Sequence, residues 1–275
     1  MAADVSVVTP VRDDPELIHA MRSVPRGVQY IVALTRPPEA VRRLVREFCR
    51  ERPETIVVES ELAGMSAGVN IGTRTATNEK IVILDSDCTL EPAALAAYSR
   101  ALDQAEFVRG VTHPRADGWW ATCARLGQEE LNRVYAARGA RLIGPSIAFR
   151  KSAFEALGGY DLAIGGSCDH EFALRVEDAG YATAFDPSAV VHHTAITLRI
   201  DVRSHFGYGR GMRAIDLKRG GRYGLGVCVD RIDPRTLAHK LVTRGPLSVV
   251  RSVLLGVTML LGYADRSLQE RRARR

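Results

Sequence analysis

The sequence predicts an α/β fold, a mostly parallel sheet flanked by helices. Short apolar runs alternate with segments of helical spacing through the first 112 residues. Such alternation is typical of parallel sheets, whose strands are joined by crossover helices. The chain also has 275 residues, 46% of them hydrophobic and 25% charged, which is enough for one large domain or one domain with an appendage.

Apolar runs in the first 112 residues predict five strands, at 5–9, 30–34, 55–58, 81–84 and 107–111. The segments between these runs have the spacing of helices. Asp14 followed by Pro15 is typical of a helix N-cap and first turn, and Pro92 opens a later helix in the same way. The fourth run is uncharged from Ile81 to Leu84, as in a strand that is buried on both faces.

Beyond Gly118 the alternation is looser. Residues 119–139 predict a helix, and residues 142–161 predict a strand, a short helix and a Gly-Gly turn. A further helix is predicted over 167–181, with Gly180 at its C-terminal cap. The last predicted strand, 189–194, contains the two histidines His192 and His193.

Segment 246–264 is the one candidate for membrane contact. Its uncharged part, Ser252 to Ala264, has 13 residues, whereas a spanning helix needs roughly 20. Three interpretations remain open: a buried or homodimer-forming helix, an interfacial helix assisted by the basic tail, and a membrane span.

Charge and cysteine content limit the classes of partner. The net charge is +6, but the last ten residues hold five arginines and one glutamate and supply +4 of it. No nucleic-acid partner is therefore expected. The five cysteines include no C-x-x-C pair, and the N-terminus has no signal-peptide pattern, so we expect a reducing, cytoplasmic environment.

Two carboxylates, Asp85 and Asp87, directly follow the fourth apolar run. Such close carboxylates repel each other and titrate as a coupled pair unless a cation neutralises them. Mg²⁺ and Mn²⁺ accept oxygen ligands and often also hold phosphate. A polar turn is the alternative, since D-x-D is frequent by chance. The carboxyl ends of strands are nevertheless where open α/β sheets bind their ligands.

Six segments occur in an order that resembles the inverting family 2 glycosyltransferases of the GT-A fold. They are VSVVTPVRD, GMSAGVNIG, VILDSD, IAFRKSAFEALGGYD, CDHEFALR and AVVHH, within about residues 4 to 211. The resemblance implies a GT-A domain over 1–211. Its nucleotide-sugar-binding half would be 1–112 and its acceptor-side half 113–211, and a helical extension with a basic tail would follow at 212–275.

The resemblance also implies residue roles. Asp169 would be the general base, with Glu171 as the alternative. Asp87 would bind Mn²⁺ or Mg²⁺, with His192 as the further ligand and His193 as the close second choice. Asp85 would contact the ribose or the donor sugar. The nucleotide-sugar-binding set would comprise Pro10, Val11, Arg12, Asp13, Asn70, Asp85 and Ser86.

The sequence departs from the family at the end of the second strand, where Ala33, Leu34 and Thr35 replace the usual acidic residues. This leaves the nucleotide base open, and it motivates an alternative, a catalytically degenerate relative that binds a nucleotide or a partner. The sequence lacks the Gln-x-x-Arg-Trp motif of processive polysaccharide synthases, so transfer of a single sugar is expected. A nucleotidyltransferase is disfavoured because TPVRDDPEL contains no glycine for a triphosphate loop.

The expected partners are a nucleotide-diphosphate sugar and a small-molecule or lipid-linked acceptor. Cys88 and Cys168 lie beside the expected site, and both are expected to be packing residues. The expected location is cytoplasmic, with peripheral contact at the inner face of the membrane as one of the open interpretations of 246–264.

Overall fold

The computed structural model describes residues 4–14 and 16–273. Pro15, which was predicted to open the first helix, and the last two arginines of the basic tail lie outside the described residues. The chain divides into two compact units. Unit 1 comprises residues 1–113, 129–160 and 172–194, and unit 2 comprises 114–128, 161–171 and 195–275.

Unit 1 contains an eight-stranded sheet. In chain order the strands are β1 Val5–Val11, β2 Gln29–Thr35, β3 Ile56–Ser60, β4 Lys80–Ile83, β5 Cys88–Leu90, β6 Phe107–Pro114, β7 Ile147–Arg150 and β8 Thr183–His193. Their spatial order is β3-β2-β1-β4-β7-β6-β8-β5. The first four in this order are parallel, whereas β7 pairs antiparallel with β4 and β6, and β5 with β8. The sheet is therefore mixed, with its parallel half built from the N-terminal strands.

Eleven helices are described. They are α1 Leu17–Ser23, α2 Glu39–Glu51, α3 Met65–Thr75, α4 Ala94–Leu102, α5 Gly118–Arg138, α6 Lys151–Ala156, α7 Cys168–Asp178, α8 Leu198–Arg219, α9 Tyr223–Asp230, α10 Pro234–Arg244 and α11 Pro246–Ala273. Helix α8 runs through the predicted boundary at 211/212.

The five strands predicted in the first 112 residues are all present, with bounds shifted by up to three residues. Strand β5 was not predicted, because three residues are too few to establish a period. Strand β8 begins six residues earlier than predicted, since Pro187 lies within it and proline argues against a strand.

The predicted N-cap at Asp14 is wrong. Helix α1 begins at Leu17, and its N-cap residue is Glu16. Asp14 Oδ1 instead accepts a hydrogen bond of 2.8 Å from the backbone N of Glu16, which is an Asx turn. Pro92 lies in the turn that precedes α4, which begins at Ala94.

The parallel strands of unit 1 are covered closely by α3. All seven residues of β1 are buried, as expected for an uninterrupted apolar strand. A Cβ atom on Gly72 of α3 would lie 2.3 Å from Cγ1 of Val8, and one on Gly68 would lie 2.7 Å from Cβ of Pro10. The two glycines therefore let the backbone of α3 approach the carboxyl end of β1.

In unit 2, helices α8 and α11 pack with their backbones close together. A Cβ atom on Gly209 would lie 1.9 Å from the carbonyl oxygen of Met259, and one on Gly262 would lie 2.1 Å from that of Phe206. These distances are far below van der Waals contact, so the two glycines permit a helix separation that no larger residue allows.

A buried carboxylate, Asp201, joins several elements of unit 2. Asp201 accepts hydrogen bonds from Trp120 Nε1 at 2.9 Å and from Arg251 Nη2 at 2.6 Å, and it lies 3.0 Å from His205 Nδ1. Burial alone raises the pKa of Asp201, but the hydrogen bond with His205 and the charge of Arg251 outweigh it, so the pKa lies below its usual value. The carboxylate is therefore held ionised inside the unit.

Segment 246–264 lies in α11, a helix of 28 residues. Among the described residues, one helix, Pro246–Arg272, is long and apolar enough to cross a membrane by length and composition alone. Core helices of proteins without a membrane segment pass the same test, so this property does not by itself identify a span.

Candidate functional site

The predicted site begins where the neighbouring strands β1 and β4 end. The two strands are parallel, with Val8 opposite Ile83, so the residues that follow them emerge at the same edge of the sheet. The hydroxyl of Ser86 donates a hydrogen bond of 2.8 Å to Asp14 Oδ2. The loop after β1 and the Asp85–Asp87 segment are thus in direct contact.

Strand β8 brings a histidine to the same segment. Strands β5 and β8 pair with Cys88 opposite His193 and Thr89 opposite His192. The backbone N of Thr194 donates to the carbonyl oxygen of Asp87 at 2.9 Å. His193 Nε2 lies 3.3 Å from Asp87 Oδ2.

His192 has a different partner. Its Nε2 lies 2.5 Å from Glu91 Oε1. Successive side chains of a strand point to opposite faces, so only one of the two consecutive histidines can meet Asp87. The register of β5 with β8 makes that residue His193, which was the second choice from the sequence, rather than His192, which was the first.

The hydrogen bonds of His193 determine which nitrogen can act as a ligand. His193 Nδ1 lies 2.7 Å from the carbonyl oxygen of Thr194, which can only accept, so we assign the proton to Nδ1. Nε2 then directs a lone pair toward the carboxylate of Asp87. Two such electron-rich atoms repel each other unless a proton or a cation lies between them.

The donor set fits a divalent cation. Within residues 4–14 and 16–273, Asp87, Cys88 and His193 form the one group of three potential ligands whose donor atoms all lie within 4.8 Å of one another. A carboxylate oxygen and an imidazole nitrogen are common ligands of divalent metals. The backbone hydrogen bond at His193 Nδ1 is also the usual way in which a ligating histidine is oriented.

Cys88 adjoins this pair but belongs to the core. Its side chain is buried among the apolar residues of the sheet, and its Sγ lies 3.6 Å from Asp87 Oδ1. Burial, and then the negative charges of Asp87 and Asp85, raise the pKa of this thiol well above its usual value. The thiol is therefore protonated at neutral pH and packs as a small apolar group.

Asp14 is a residue of this edge that was predicted as a helix N-cap and was not among the predicted site residues. Burial, and in smaller part the charge of Asp87, raise the pKa of Asp14 above its usual value. Its position could have revealed it, because Asp14 follows the first strand as Asp85 follows the fourth. The carboxylates of Asp14, Asp85 and Asp87 thus lie at the same edge of the sheet.

The residues expected to frame the nucleotide base differ in exposure. Pro10 and Val11 are buried in β1, whereas Arg12 and Asp13 are exposed, with Arg12 Nε 3.9 Å from Asp13 Oδ2. The neighbouring end of β2 is apolar and buried, and Thr35 Oγ1 donates to the carbonyl oxygen of Val11 at 3.1 Å. Positions 33–35 therefore offer no carboxylate at this edge.

Asn70 holds a turn of unit 1. Its Nδ2 donates to the carbonyl oxygen of Tyr160 at 2.8 Å, and its Oδ1 accepts from the backbone N of Tyr160 at 2.9 Å. The side chain thus clamps the residue that follows the Gly-Gly turn. Its predicted contact with the nucleotide sugar stays a prediction.

The two candidates for the general base lie in the first turn of α7, in unit 2. Glu171 is only 1% exposed, and its Oε1 lies 2.6 Å from Lys218 Nζ, which also contacts Asp161 Oδ2 at 2.8 Å. Asp169 is half-buried, and its Oδ1 accepts a 2.8 Å hydrogen bond from the backbone N of His170. Glu171 is thus engaged in a buried ion pair with Lys218, and Asp169 is the more accessible of the two carboxylates.

Comparison with known proteins adds a family and a fold. Residues 16–206 match the family model described as glycosyltransferase like family 2. No curated protein matches the sequence.

Three solved structures of similar fold illustrate this. Mannosyltransferase PcManGT from Pyrobaculum calidifontis, in complex with GDP-Man and Mn²⁺, is 19% identical with a TM-score of 0.63, over 96% of this chain and 75% of that one. S. aureus TarS 1–349 is 11% identical with a TM-score of 0.55, over 98% and 92%. GalNAc-T7 with UDP, GalNAc and Mn²⁺ is 15% identical with a TM-score of 0.54, over 70% of this chain but 43% of that one. At such identities these similarities establish the fold alone.

Proposed function

The chain belongs to the family 2 glycosyltransferases, and we propose that it moves one sugar from a nucleotide-diphosphate donor to an acceptor hydroxyl with inversion. Its fold is GT-A, with C-terminal helices in addition. The observation that carries the proposal is the contact between Asp87 and His193 at the carboxyl edge of the sheet. Such an edge is where open α/β sheets bind ligands.

Asp87 and His193 would hold a divalent cation, Mn²⁺ or Mg²⁺, at this edge. When bound, such a cation stabilises the negative charge that develops on the leaving diphosphate. The relatives PcManGT and GalNAc-T7 were solved with Mn²⁺, which supports a divalent metal. Thr194 orients His193 through its carbonyl oxygen, and Ser86 ties the loop after β1 to the Asp85–Asp87 segment.

The remaining donor contacts come from the ends of β1 and β4. Asp85 and Ser86 would contact the ribose or the donor sugar. The loop Pro10 to Asp13 would frame the base, with Arg12 exposed and available to stack or to bond. PcManGT was solved with GDP-Man and TarS 1–349 with UDP, so the titration described below compares nucleotides with both bases.

Asp169 would take the proton from the acceptor hydroxyl. A hydroxyl is a poor nucleophile until a positioned carboxylate removes its proton. Glu171 is unsuited, because its carboxylate is buried and bonded to Lys218, and breaking that pair would leave a buried charge. A single displacement by the acceptor oxygen inverts the anomeric carbon, and no covalent nucleophile of the protein is needed.

The acceptor and the location complete the proposal. We infer a small-molecule or lipid-linked acceptor and a cytoplasmic protein. The segment 246–264 would serve as a peripheral membrane contact or as a homodimer contact.

A catalytically degenerate relative that binds a nucleotide or a partner is the second candidate. The specific observation in its favour is the buried, uncharged end of β2, where Ala33, Leu34 and Thr35 face the interior. The closeness of Asp87 and His193 favours the enzyme, since together they could hold the cation that stabilises a leaving diphosphate.

Calorimetric titration tests the donor site. UDP, GDP and dTDP are titrated with Mn²⁺ and with EDTA into the wild type, Asp87→Ala, His193→Ala and His192→Ala. One nucleotide should bind only with metal, and Asp87→Ala and His193→Ala should each weaken it by about 10–100-fold. His192→Ala is the matched control from the same strand and should bind almost normally.

The outcomes separate the two candidates. Equal losses in His192→Ala and His193→Ala would contradict the site geometry. Nucleotide binding that ignores EDTA and Asp87→Ala would support the degenerate relative.

A further inference from the structure

One face of α11 in unit 2 exposes a stripe of apolar side chains. The members are exposed and recur at steps of three, four or seven residues: Leu247, Val250, Leu254, Val257, Leu261 and Leu268. Such spacing places them along one side of a helix. The opposite side, with Leu255 and Met259, is buried in the unit. Helix α11 is thus apolar on two sides, and unit 2 covers only one of them.

Other exposed apolar residues belong to elements that contact the first half of α11. Lys240 of α10 donates from Nζ to Ser252 Oγ at 2.5 Å, and the same helix exposes Leu241 and Val242. Arg251 bonds Asp201 near the start of α8, where Leu198 and Ile200 are exposed.

An exposed tryptophan, Trp119, lies next to a residue that contacts α11. The ring of Trp119 lies 5.2 Å from that of Trp120, and Trp120 lies under the guanidinium of Arg251, at 5.6 Å. Trp119 is half-exposed, and tryptophan is the residue type enriched at membrane–water interfaces. We call the stripe of α11, from Leu247 to Leu268, the apolar surface of unit 2.

The charge of unit 2 is strongly positive. Its residues include 19 Lys and Arg against 10 Asp and Glu, a net charge of +9, whereas unit 1 has 19 against 22 and a net charge of −3. Arg271 and Arg272 are exposed and lie one turn beyond Leu268 on α11. A basic helix with an uncharged apolar face is typical of binding to anionic lipid surfaces.

We propose that the apolar surface of unit 2 binds an anionic membrane surface, with α11 lying in the plane of the interface. A second copy of the chain is the less favourable occupant, because two units of charge +9 repel each other. A span is also disfavoured, because α11 packs on α8 through Gly209 and Gly262. Helix α8 carries Arg203, Arg210 and Arg213, which are costly in hydrocarbon.

The inference deepens the proposed function, because a transferase held at a membrane would favour a lipid-linked acceptor. Only this consequence for the acceptor rests on the proposed function. Binding to the membrane itself requires neither a nucleotide nor a cation. Its failure can therefore be distinguished from failure of the transferase proposal.

Sedimentation with vesicles tests the proposal. The full chain, in EDTA and without nucleotide, is mixed with vesicles of phosphatidylcholine alone or of phosphatidylcholine with phosphatidylglycerol. Binding is expected to the anionic vesicles and should weaken with salt. The double variant Leu254→Gln/Leu261→Gln should reduce the partition coefficient by about tenfold or more, since it removes two apolar side chains from the interface.

Leu62→Gln is the matched control, because Leu62 in unit 1 is 55% exposed, close to the 59% of Leu261. It should leave vesicle binding unchanged, and the tryptophan emission of all variants should match the wild type if they are folded. The proposal is overturned if the wild type ignores anionic vesicles or if the double variant binds them equally well. It is also overturned if the wild type forms dimers that the double variant loses while neither binds vesicles.

Discussion

The two units of this chain differ in charge and in what they expose. Unit 1 has a net charge of −3 and places Asp14, Asp85 and Asp87 at one edge of its sheet. Unit 2 has a net charge of +9 and exposes an apolar helix face. An acidic edge repels a diphosphate unless a cation is bound, so unit 1 is suited to metal-dependent recognition. Unit 2 is suited to binding a surface that is negatively charged and partly apolar.

The largest expected effect tests whether donor binding and proton removal are divided between the units. Asp169→Asn should lower kcat by about 10²–10⁴-fold, because it removes the proposed base, and it should leave the nucleotide affinity unchanged. Both are measured, the first as release of nucleoside diphosphate with a screened acceptor. Asp117→Asn, an exposed carboxylate of unit 2, is the control. Loss of nucleotide affinity in Asp169→Asn would contradict the division.

A smaller effect tests the close packing within unit 2. Gly209→Ala should destabilise the unit by about 1–3 kcal/mol, since the new Cβ would overlap the backbone of Met259. Gly207→Ala on the same helix meets nothing within 4 Å and should stabilise by about 0.5–1 kcal/mol. Both tryptophans of the chain, Trp119 and Trp120, lie in unit 2, so thermal unfolding followed by their fluorescence reports on it. Shifts of the same sign would contradict the packing.

The smallest effect concerns pH and the acidic edge of unit 1. The pKa of Asp14 is raised above 3.8 in the folded protein by burial and by Asp87. The folded state therefore binds this proton more tightly than the unfolded state, and stability is lost as the pH rises from 3.8 through the folded pKa. In EDTA, Asp14→Asn should lose less stability over this range than the wild type. Denaturant midpoints measured against pH check this, with exposed Asp13→Asn as the control, and parallel profiles would contradict it.

Much of the fold could be predicted because its evidence is local. The runs at 5–9 and 81–84 are uninterrupted apolar segments, and both are buried strands of the parallel half. Strand β5 could not be predicted, since Cys88 to Leu90 becomes a strand only by pairing with β8. The start of α1 was also missed, because an Asx turn at Asp14 and an N-cap have the same sequence pattern.

The residues of the candidate site could be predicted from the sequence, but the contacts between them could not. The position of Asp85 and Asp87 after a strand was sufficient to place them at the carboxyl edge of the sheet, where open α/β sheets bind ligands. The choice between His192 and His193 depends on the register of β5 with β8, and the link between Asp14 and Ser86 joins residues 72 positions apart. The weakness of Glu171 as a base depends on Lys218, 47 positions away.

The sequence by itself determined the fold class and the family, and it supplied the residue types of the candidate site, because these follow from apolar periodicity and from motifs read within short windows. Only the tertiary structure decided which histidine meets Asp87, which carboxylate is neutralised by Lys218 and which side of α11 remains uncovered. The physical reason is that strand register and helix packing are set by contacts between segments far apart in the chain. A shift of one residue in the register would exchange the two faces of the strand and, with them, the histidine that lies near Asp87.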